Sequence, residues 1–303
     1  MQVGMIGLGR MGGNMAERLL RDGHQVVVFD PDSNAVKSLE EKGAAGSSSL
    51  TELVSKLSQP RTAWVMVPAG TITEDTVNAL GQALSPGDTV IDGGNSNYRE
   101  SMRRAAMLAE KGIDFLDCGT SGGVWGLENG YCLTVGGSRT AYERNLPIFK
   151  TLAPEENDGG LYVGPSGSGH YVKMVHNGIE YGLMQAYAEG FELLAAKEEF
   201  SLDLQAIAEN WRYGSVVRSW LLDLTADALA ADPALEKLTS YVEDSGEGRW
   251  TVDSSVELAV PAPVIALALQ MRFRSRQENP LGGRMLSAMR NAFGGHAVRK
   301  SGG

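Results

Sequence analysis

Short β-branched runs alternate with amphipathic runs through the first half of the chain. "QVGMIGL" (2–8), "QVVVFD" (25–30), "TAWVMVP" (62–68), "TVIDGGN" (89–95), "IDFLDCG" (113–119), "YCLTVGG" (131–137) and "LYVGP" (161–165) have the length and residue types of buried strands. Between them, "GGNMAERLLRDG" (12–23), "SNAVKSLEEKG" (33–43), "ITEDTVNALGQAL" (72–84), "YRESMRRAAMLAEKG" (98–112) and "TAYERNLPIFKTL" (140–152) read as helices. Gly23 and Gly43 stand where a helix end favours glycine. Strands alternating with helices predict βαβ units and a mainly parallel sheet. Beyond "GPSGSG" (164–169) the pattern is helical, with almost no convincing strand. The expectation is an α/β doubly wound domain over 1–166 and an all-α domain over 167–303, the second opening with one helix near 167–197. The final "RKSGG" reads as a frayed tail.

The first strand runs into Gly7-Leu8-Gly9-Arg10-Met11-Gly12, and a helix follows. Alone, a G-x-G-x-x-G run is a weak signal; between a strand and a helix it acquires a mechanism. Gly7 permits the tight turn, Gly9 the close approach of a pyrophosphate, and Gly12 close helix packing. The helix N-terminus supplies unpaired N–H groups and partial positive charge. Asp30 ends the second strand, eighteen residues after Gly12. A carboxylate there accepts from both ribose hydroxyls and repels a 2′-phosphate, and Pro31 and Asp32 supply no arginine to receive one. The first domain therefore reads as a Rossmann-type dinucleotide-binding domain preferring NAD over NADP.

Composition narrows the partners. The chain has 303 residues, 43% hydrophobic and 21% charged, with a formal charge of −10. An acidic chain without a dense basic run is a poor binder of nucleic acid or of an anionic membrane. The most apolar late run, "LAVPAPVIALALQM", has 14 residues and two prolines, too short to span a bilayer. The start lacks the features of a signal peptide, so a cytoplasmic protein is expected. Cys118 and Cys132 lie in apolar, strand-like runs and read as small buried residues. The four histidines, His24, His170, His176 and His296, form no metal-ligand spacing, and no metal is expected.

Three further loops fall at C-terminal strand ends, where open α/β sheets bind ligands: "VPAG" (67–70), "DGGNSN" (92–97) and "CGTSGGVWG" (118–126). In "KMVHNGIEYG" (173–182), Lys173, His176, Asn177 and Glu180 fall at i, i+3, i+4 and i+7, on one helical face. Paired charges on such a face serve equally as a structural ion pair or as an acid and a base. Gly178 and Gly182 favour the second reading, because each costs about 1 kcal/mol in a helix and leaves room for a close approach.

The motifs "GLGRMGGNMA", "DGGNS", "DFLDCGTSGGVWG", "GHYVKMVHNGIEYG", "VVRSWLL", "EGRWT", "VPAPVI" and "RNAFGGH" run in order along nearly the whole chain. Together they resemble the shorter type of decarboxylating 6-phosphogluconate dehydrogenase, within the β-hydroxyacid dehydrogenase superfamily. The resemblance implies oxidative decarboxylation of 6-phospho-D-gluconate to D-ribulose 5-phosphate with NAD. It implies Lys173 as general base and Glu180 as general acid. Gly7, Leu8, Gly9, Arg10, Met11, Gly12, Asp30, Val67, Pro68, Ala69 and Asn95 would hold the cofactor. Asn95, Ser121, Gly122, Gly123, His176 and Asn177 would orient the sugar acid, and Tyr181 and Arg218 would bind its phosphate. Arg290 and His296 would reach substrate in a neighbouring subunit, so a homo-oligomer, dimer or tetramer, is implied. Longer members carry "KGTGKWT" where this chain has "DSGEGRWT" (244–251), placing Ser245 and Glu247 where a phosphate-contacting Lys and Thr stand. Glu247 pointing inward would repel a phosphate.

The chemistry is consistent in itself. Oxidising a β-hydroxy acid gives a β-keto acid, whose carbonyl takes up the electrons released with carbon dioxide. A cationic Lys173 stabilises the developing enolate, so a metal is not required. The alternatives are a β-hydroxyacid dehydrogenase acting on a small unphosphorylated acid and a non-catalytic NAD-binding regulator.

Overall fold

The computed structural model describes residues 1–157 and 159–299; the terminal "KSGG" of the expected frayed tail lies outside the described residues. The first unit, Met1–Asn177, holds an eight-stranded sheet. Its strands are β1 (Gln2–Ile6), β2 (Gln25–Phe29), β3 (Ala45–Gly46), β4 (Thr62–Val65), β5 (Thr89–Asp92), β6 (Asp114–Ser121), β7 (Cys132–Gly137) and β8 (Leu161–Gly164). The order across the sheet is β3-β2-β1-β4-β5-β6-β7-β8, and only the β6–β7 pairing is antiparallel. The order reverses at β1, with β2 on one side and β4 on the other, so a crevice opens at the C-terminal end of β1.

Alternation along the strands builds two cores. Val3, Met5, Trp64, Ile91, Leu116 and Cys118 pack on one face with Met15 and Leu19 of α1 (Arg10–Arg21) and Phe149 of α7 (Arg139–Leu152). Ile6, Ala63, Val65, Val90 and Phe115 pack on the other. There they meet α3 (Leu50–Lys56), α4 (Thr71–Ala83) and α5 (Tyr98–Ala109) through Leu53, Leu80 and Leu108. Burial on both faces accounts for strands that read as nearly continuous apolar runs. The remaining helices of this unit are α2 (Ser33–Glu40) and the short α6 (Gly126–Asn129). The strand β3 and helix α3 have no counterpart in the sequence expectation. Two strand residues give no period, and seven helical ones hold one cap, in which Ser49 accepts from the Glu52 amide at 3.1 Å.

The helix α8 (Ser168–Ala196) matches the long helix expected from the sequence. The second unit, Gly178–Gly303, begins within it. It continues through α9 (Leu204–Trp211), α10 (Trp220–Ala231), α11 (Glu247–Glu257), α12 (Pro263–Ser275) and α13 (Leu281–Gly294), with no strand among the described residues. Ala208, Leu222, Ala226 and Leu229 form one small core, and Tyr181, Ala268 and Leu269 another. No helix of the described residues is long and apolar enough to cross a membrane.

Two sequence expectations need correction. Cys132 is exposed, not buried. It opens β7 on the outward side of the pleat, and the next residue, Leu133, takes the core. Gly178 and Gly182 make room for the protein itself. A Cβ on Gly178 would lie 2.7 Å from Cγ2 of Thr251 in α11, and one on Gly182 would lie 3.2 Å from Cγ1 of Val264 in α12. The close approach they allow is helix on helix.

Candidate active site

Two glycines of the first loop, Gly7 and Gly12, are fixed by close contacts within the chain. Gly7 has φ +88°, and a Cβ there would meet the Met66 carbonyl oxygen at 2.4 Å. A Cβ on Gly12 would lie 2.0 Å from the Gly7 carbonyl oxygen, so the helix packs on its own entry strand. A Cβ on Gly9 would meet nothing within 4 Å. Gly9 is the N-cap of α1, no side chain caps it, and the first turn carries no acid. That space and those amides fit an anionic cofactor group. Arg10 stands exposed on the same turn, Leu8 is buried, and Met11 packs against the core.

Asp30 ties β2 to this loop. Its Oδ2 accepts from the Leu8 amide at 2.7 Å and its Oδ1 from the Asp32 amide at 2.8 Å. Each oxygen keeps a further lone pair, which fits a ribose diol.

The next two loops touch each other. A Cβ on Gly94 would stand 2.9 Å from the Val67 carbonyl oxygen. Pro68 and Ala69 are exposed, and the Thr73 hydroxyl donates to the Pro68 carbonyl at 2.9 Å. The 92–97 loop hangs on the buried Asp92, which accepts from the Gly94 amide at 3.2 Å, the Ser96 hydroxyl at 2.7 Å and Arg104 at 3.5 Å. Arg104 also donates to Glu74 at 2.9 Å. The bond from Arg103, with Arg104 behind it, lowers the Glu74 carboxyl to about 2. This network holds Asn95 exposed at the loop tip.

β6 delivers the third loop and the start of α8. Ser121 ends the strand, and Gly122 and Gly123 follow with φ +135° and +55°, a path closed to most side chains. Within the strand, the fully buried Asp117 accepts from the Gly167 amide at 2.6 Å and the His170 amide at 2.9 Å. It thereby caps α8 from the sheet. One turn later the stem of Lys173 lies against β6: a Cβ on Gly119 would be 2.5 Å from the Lys173 Cβ. Lys173 is half-buried, His176 exposed, and Asn177 buried with its Oδ1 3.0 Å from the His176 Nδ1. Burial keeps the neighbouring Cys118 thiol well above its ordinary value, so it is inert.

In the second unit Glu180 is half-buried. Tyr181 is buried between a glycine and a cation. A Cβ on Gly248 would meet its ring at 2.4 Å, and the Arg272 guanidinium lies 3.4 Å from the ring centroid. Arg272 donates to the Glu243 carbonyl at 2.8 Å, and no carboxylate pairs with it among the described residues. The sequence reading missed Arg272 because nothing in the spacing joins α12 to Tyr181 across 91 residues. Arg249 stays in its own corner, paired with Asp244 at 2.5 Å over the Phe273 ring. Glu247 is buried behind Ser245. Arg218 is exposed, without a side-chain partner among the described residues. Arg290 and His296 are exposed on and beyond α13, which buries none of its residues. Asp117 and Asp92 were legible only as carboxylates inside apolar runs. Among the described residues no three His, Cys, Asp or Glu side chains cluster as metal ligands.

Residues 2–164 match the NAD-binding domain of 6-phosphogluconate dehydrogenase, and residues 169–281 match the C-terminal domain of the same enzyme. The chain belongs to the 6-phosphogluconate dehydrogenase family. The two family matches part at residues 165–168, inside "GPSGSG". A putative 6-phosphogluconate dehydrogenase of Bacillus subtilis, YqeC, is 45% identical over 300 residues, 99% of this chain and 100% of the relative. An NAD(+)-dependent, decarboxylating 6-phosphogluconate dehydrogenase of Haloferax volcanii is 44% identical over 301 residues, 99% of each chain. Among solved structures, the 6-phosphogluconate dehydrogenase of Plasmodium falciparum superposes with a TM-score of 0.82 at 27% identity, covering 100% of this chain and 67% of that one.

Proposed function

We propose that this chain oxidises and decarboxylates 6-phospho-D-gluconate to D-ribulose 5-phosphate and carbon dioxide, with NAD as hydride acceptor. The observation that carries the reading is the seat of Lys173 against Gly119, on the strand that ends in the glycine-lined loop. β6 stands three strands from β1, about 14 Å at ordinary strand spacing, along the edge where ligands of such sheets bind. A cofactor with its pyrophosphate at Gly9 has that distance to cover to its nicotinamide.

Bound NAD supplies the hydride acceptor. Lys173 takes the proton of the 3-hydroxyl as the carbon is oxidised. Its ammonium then stabilises the enolate oxygen as the C1–C2 bond breaks and carbon dioxide leaves. Glu180, two turns along the helix, gives a proton to the enediol carbon. Asn95, Ser121, Gly122, Gly123, His176 and Asn177 orient the sugar acid, and Val67, Pro68 and Ala69 border the cofactor. Asp30 favours NAD over NADP. No step needs a metal.

Tyr181 holds the phosphate, and Arg272, whose guanidinium lies over the Tyr181 ring, supplies a cation to the same group. The sequence assignment of Arg218 to the phosphate remains part of the proposal. So does a homo-oligomer, dimer or tetramer, in which Arg290 and His296 complete a neighbour's site. The unburied apolar residues of α13, among them Leu286 at 60% and Phe293 at 80% exposure, support it. The reading places the enzyme in the cytoplasm and the domain boundary at 166/167.

Initial rates of NAD reduction with 6-phosphogluconate and with gluconate test the substrate. At least a 100-fold preference for the phosphorylated acid is expected from two charge-assisted contacts. Equal rates would remove the phosphate from the account.

A further inference from the structure

The loop that departs from the longer enzymes forms a hydrogen-bonded chain ending on Tyr181. The Ser245 amide donates to the Tyr181 hydroxyl oxygen at 3.1 Å. The Ser245 hydroxyl gives its only proton to Oε2 of Glu247. Its oxygen stands 3.4 Å from the Tyr181 hydroxyl, the outer limit of a hydrogen bond. Glu247 is 2% exposed, and its Oε1 has no partner among the described residues. Burying a carboxylate with one oxygen unbonded costs stability, so the residue needs a reason to be there.

Proton counting supplies one. A tyrosine hydroxyl has one proton to donate. Here the Ser245 amide already engages the acceptor side of Tyr181. Glu247 takes the Ser245 proton and so pins Ser245, whose amide occupies the acceptor side of Tyr181. What Tyr181 has left is its own O–H, whose one acceptor among the described residues is the Ser245 oxygen at 3.4 Å, a bond long enough for a phosphate oxygen to displace. Arg272 over the ring and Gly248 beneath it stop the ring from turning away.

We propose that Glu247, through Ser245, is a positioning residue that commits the Tyr181 hydroxyl to donate to the substrate phosphate. It replaces the direct contacts of the longer loop with an indirect one, and its negative charge stays behind Ser245. The proposal rests on the reading of Tyr181 as a phosphate ligand.

The test is a double-mutant cycle, with kcat and KM measured for 6-phosphogluconate and for gluconate. Glu247→Ala is expected to raise the KM for 6-phosphogluconate about 10-fold, the worth of one charge-assisted hydrogen bond, with kcat within about twofold. Its kcat/KM for gluconate should change far less. In a Tyr181→Phe background Glu247→Ala should add nothing. Glu247→Gln, whose amide oxygen still accepts from Ser245, should recover most of the loss, and it keeps the test open should the alanine variant fail to fold. Equal losses on both substrates, or additive losses in the cycle, would reduce Glu247 to a packing role and overturn the proposal. A Tyr181→Phe variant with an unchanged KM for 6-phosphogluconate would overturn the phosphate reading first, and the relay with it.

Discussion

A Cβ on Gly119 would lie 2.5 Å from the Cβ of Lys173, closer than two carbons approach without displacement. It would also stand 2.6 Å from the Thr134 hydroxyl and 2.7 Å from the Gly169 carbonyl oxygen, so there is no side to which it can move. Gly119→Ala should therefore push α8 off β6 at Lys173, the proposed general base. A displacement near 1 Å costs roughly 100-fold in rate. The expected result is that loss in kcat with NAD affinity within about twofold, measured by steady-state kinetics and by cofactor titration.

That contact also marks what the sequence could disclose. The glycine loop and the helix carrying Lys173 were legible because each motif is local: a strand, a turn and a helix in one run of residues. Partners distant in the chain were not. Asp117 caps α8 from 50 residues away, and Arg272 reaches Tyr181 from another helix. Gly178 and Gly182 misled for the same reason. Their value is set by Thr251 and Val264, which no local pattern connects to them. Cys132 was misjudged because an apolar neighbourhood does not say which side of the pleat a residue takes.

Asp30 holds the Leu8 amide and leaves lone pairs for a ribose. Asp30→Ala removes both the repulsion of a 2′-phosphate and the acceptor for the diol. The ratio of kcat/KM for NAD over NADP is expected to fall about 10-fold or more. An unchanged ratio would detach Asp30 from cofactor choice.

Lys173 and Glu180 are assigned different protons, so their variants should fail differently. Lys173→Ala should lower NAD reduction by at least about 1,000-fold, with NAD binding retained. Glu180→Gln should be slowed in protonating the enediol, seen as slower product formation and as loss of stereospecificity in the deuterium that enters C1 of the product in heavy water. Identical defects in both variants would argue against the division of roles.

Acid stability follows from Asp244. Arg249 first, and then Arg276, hold its carboxyl at about 2, against an ordinary 3.8. A lowered carboxylate value stabilises the fold above the unfolded value, and the gain disappears as pH falls from near 4 through about 2. Arg249 is half exposed, so solvent screening trims the contribution to about 1–2 kcal/mol at neutral pH. Asp244→Asn should be less stable by that amount at pH 7, and the gap should narrow towards pH 2. Denaturant unfolding at several pH values reads it; a gap independent of pH would place the loss in packing.

In the proposed reaction, oxidation and loss of carbon dioxide belong to one turnover. The most direct measurement follows reduced cofactor and carbon dioxide together from 6-phosphogluconate and NAD. Equal yields of both are expected, with NAD preferred over NADP. Reduced cofactor without carbon dioxide would leave a dehydrogenase and contradict the decarboxylation assigned to Lys173 and Glu180.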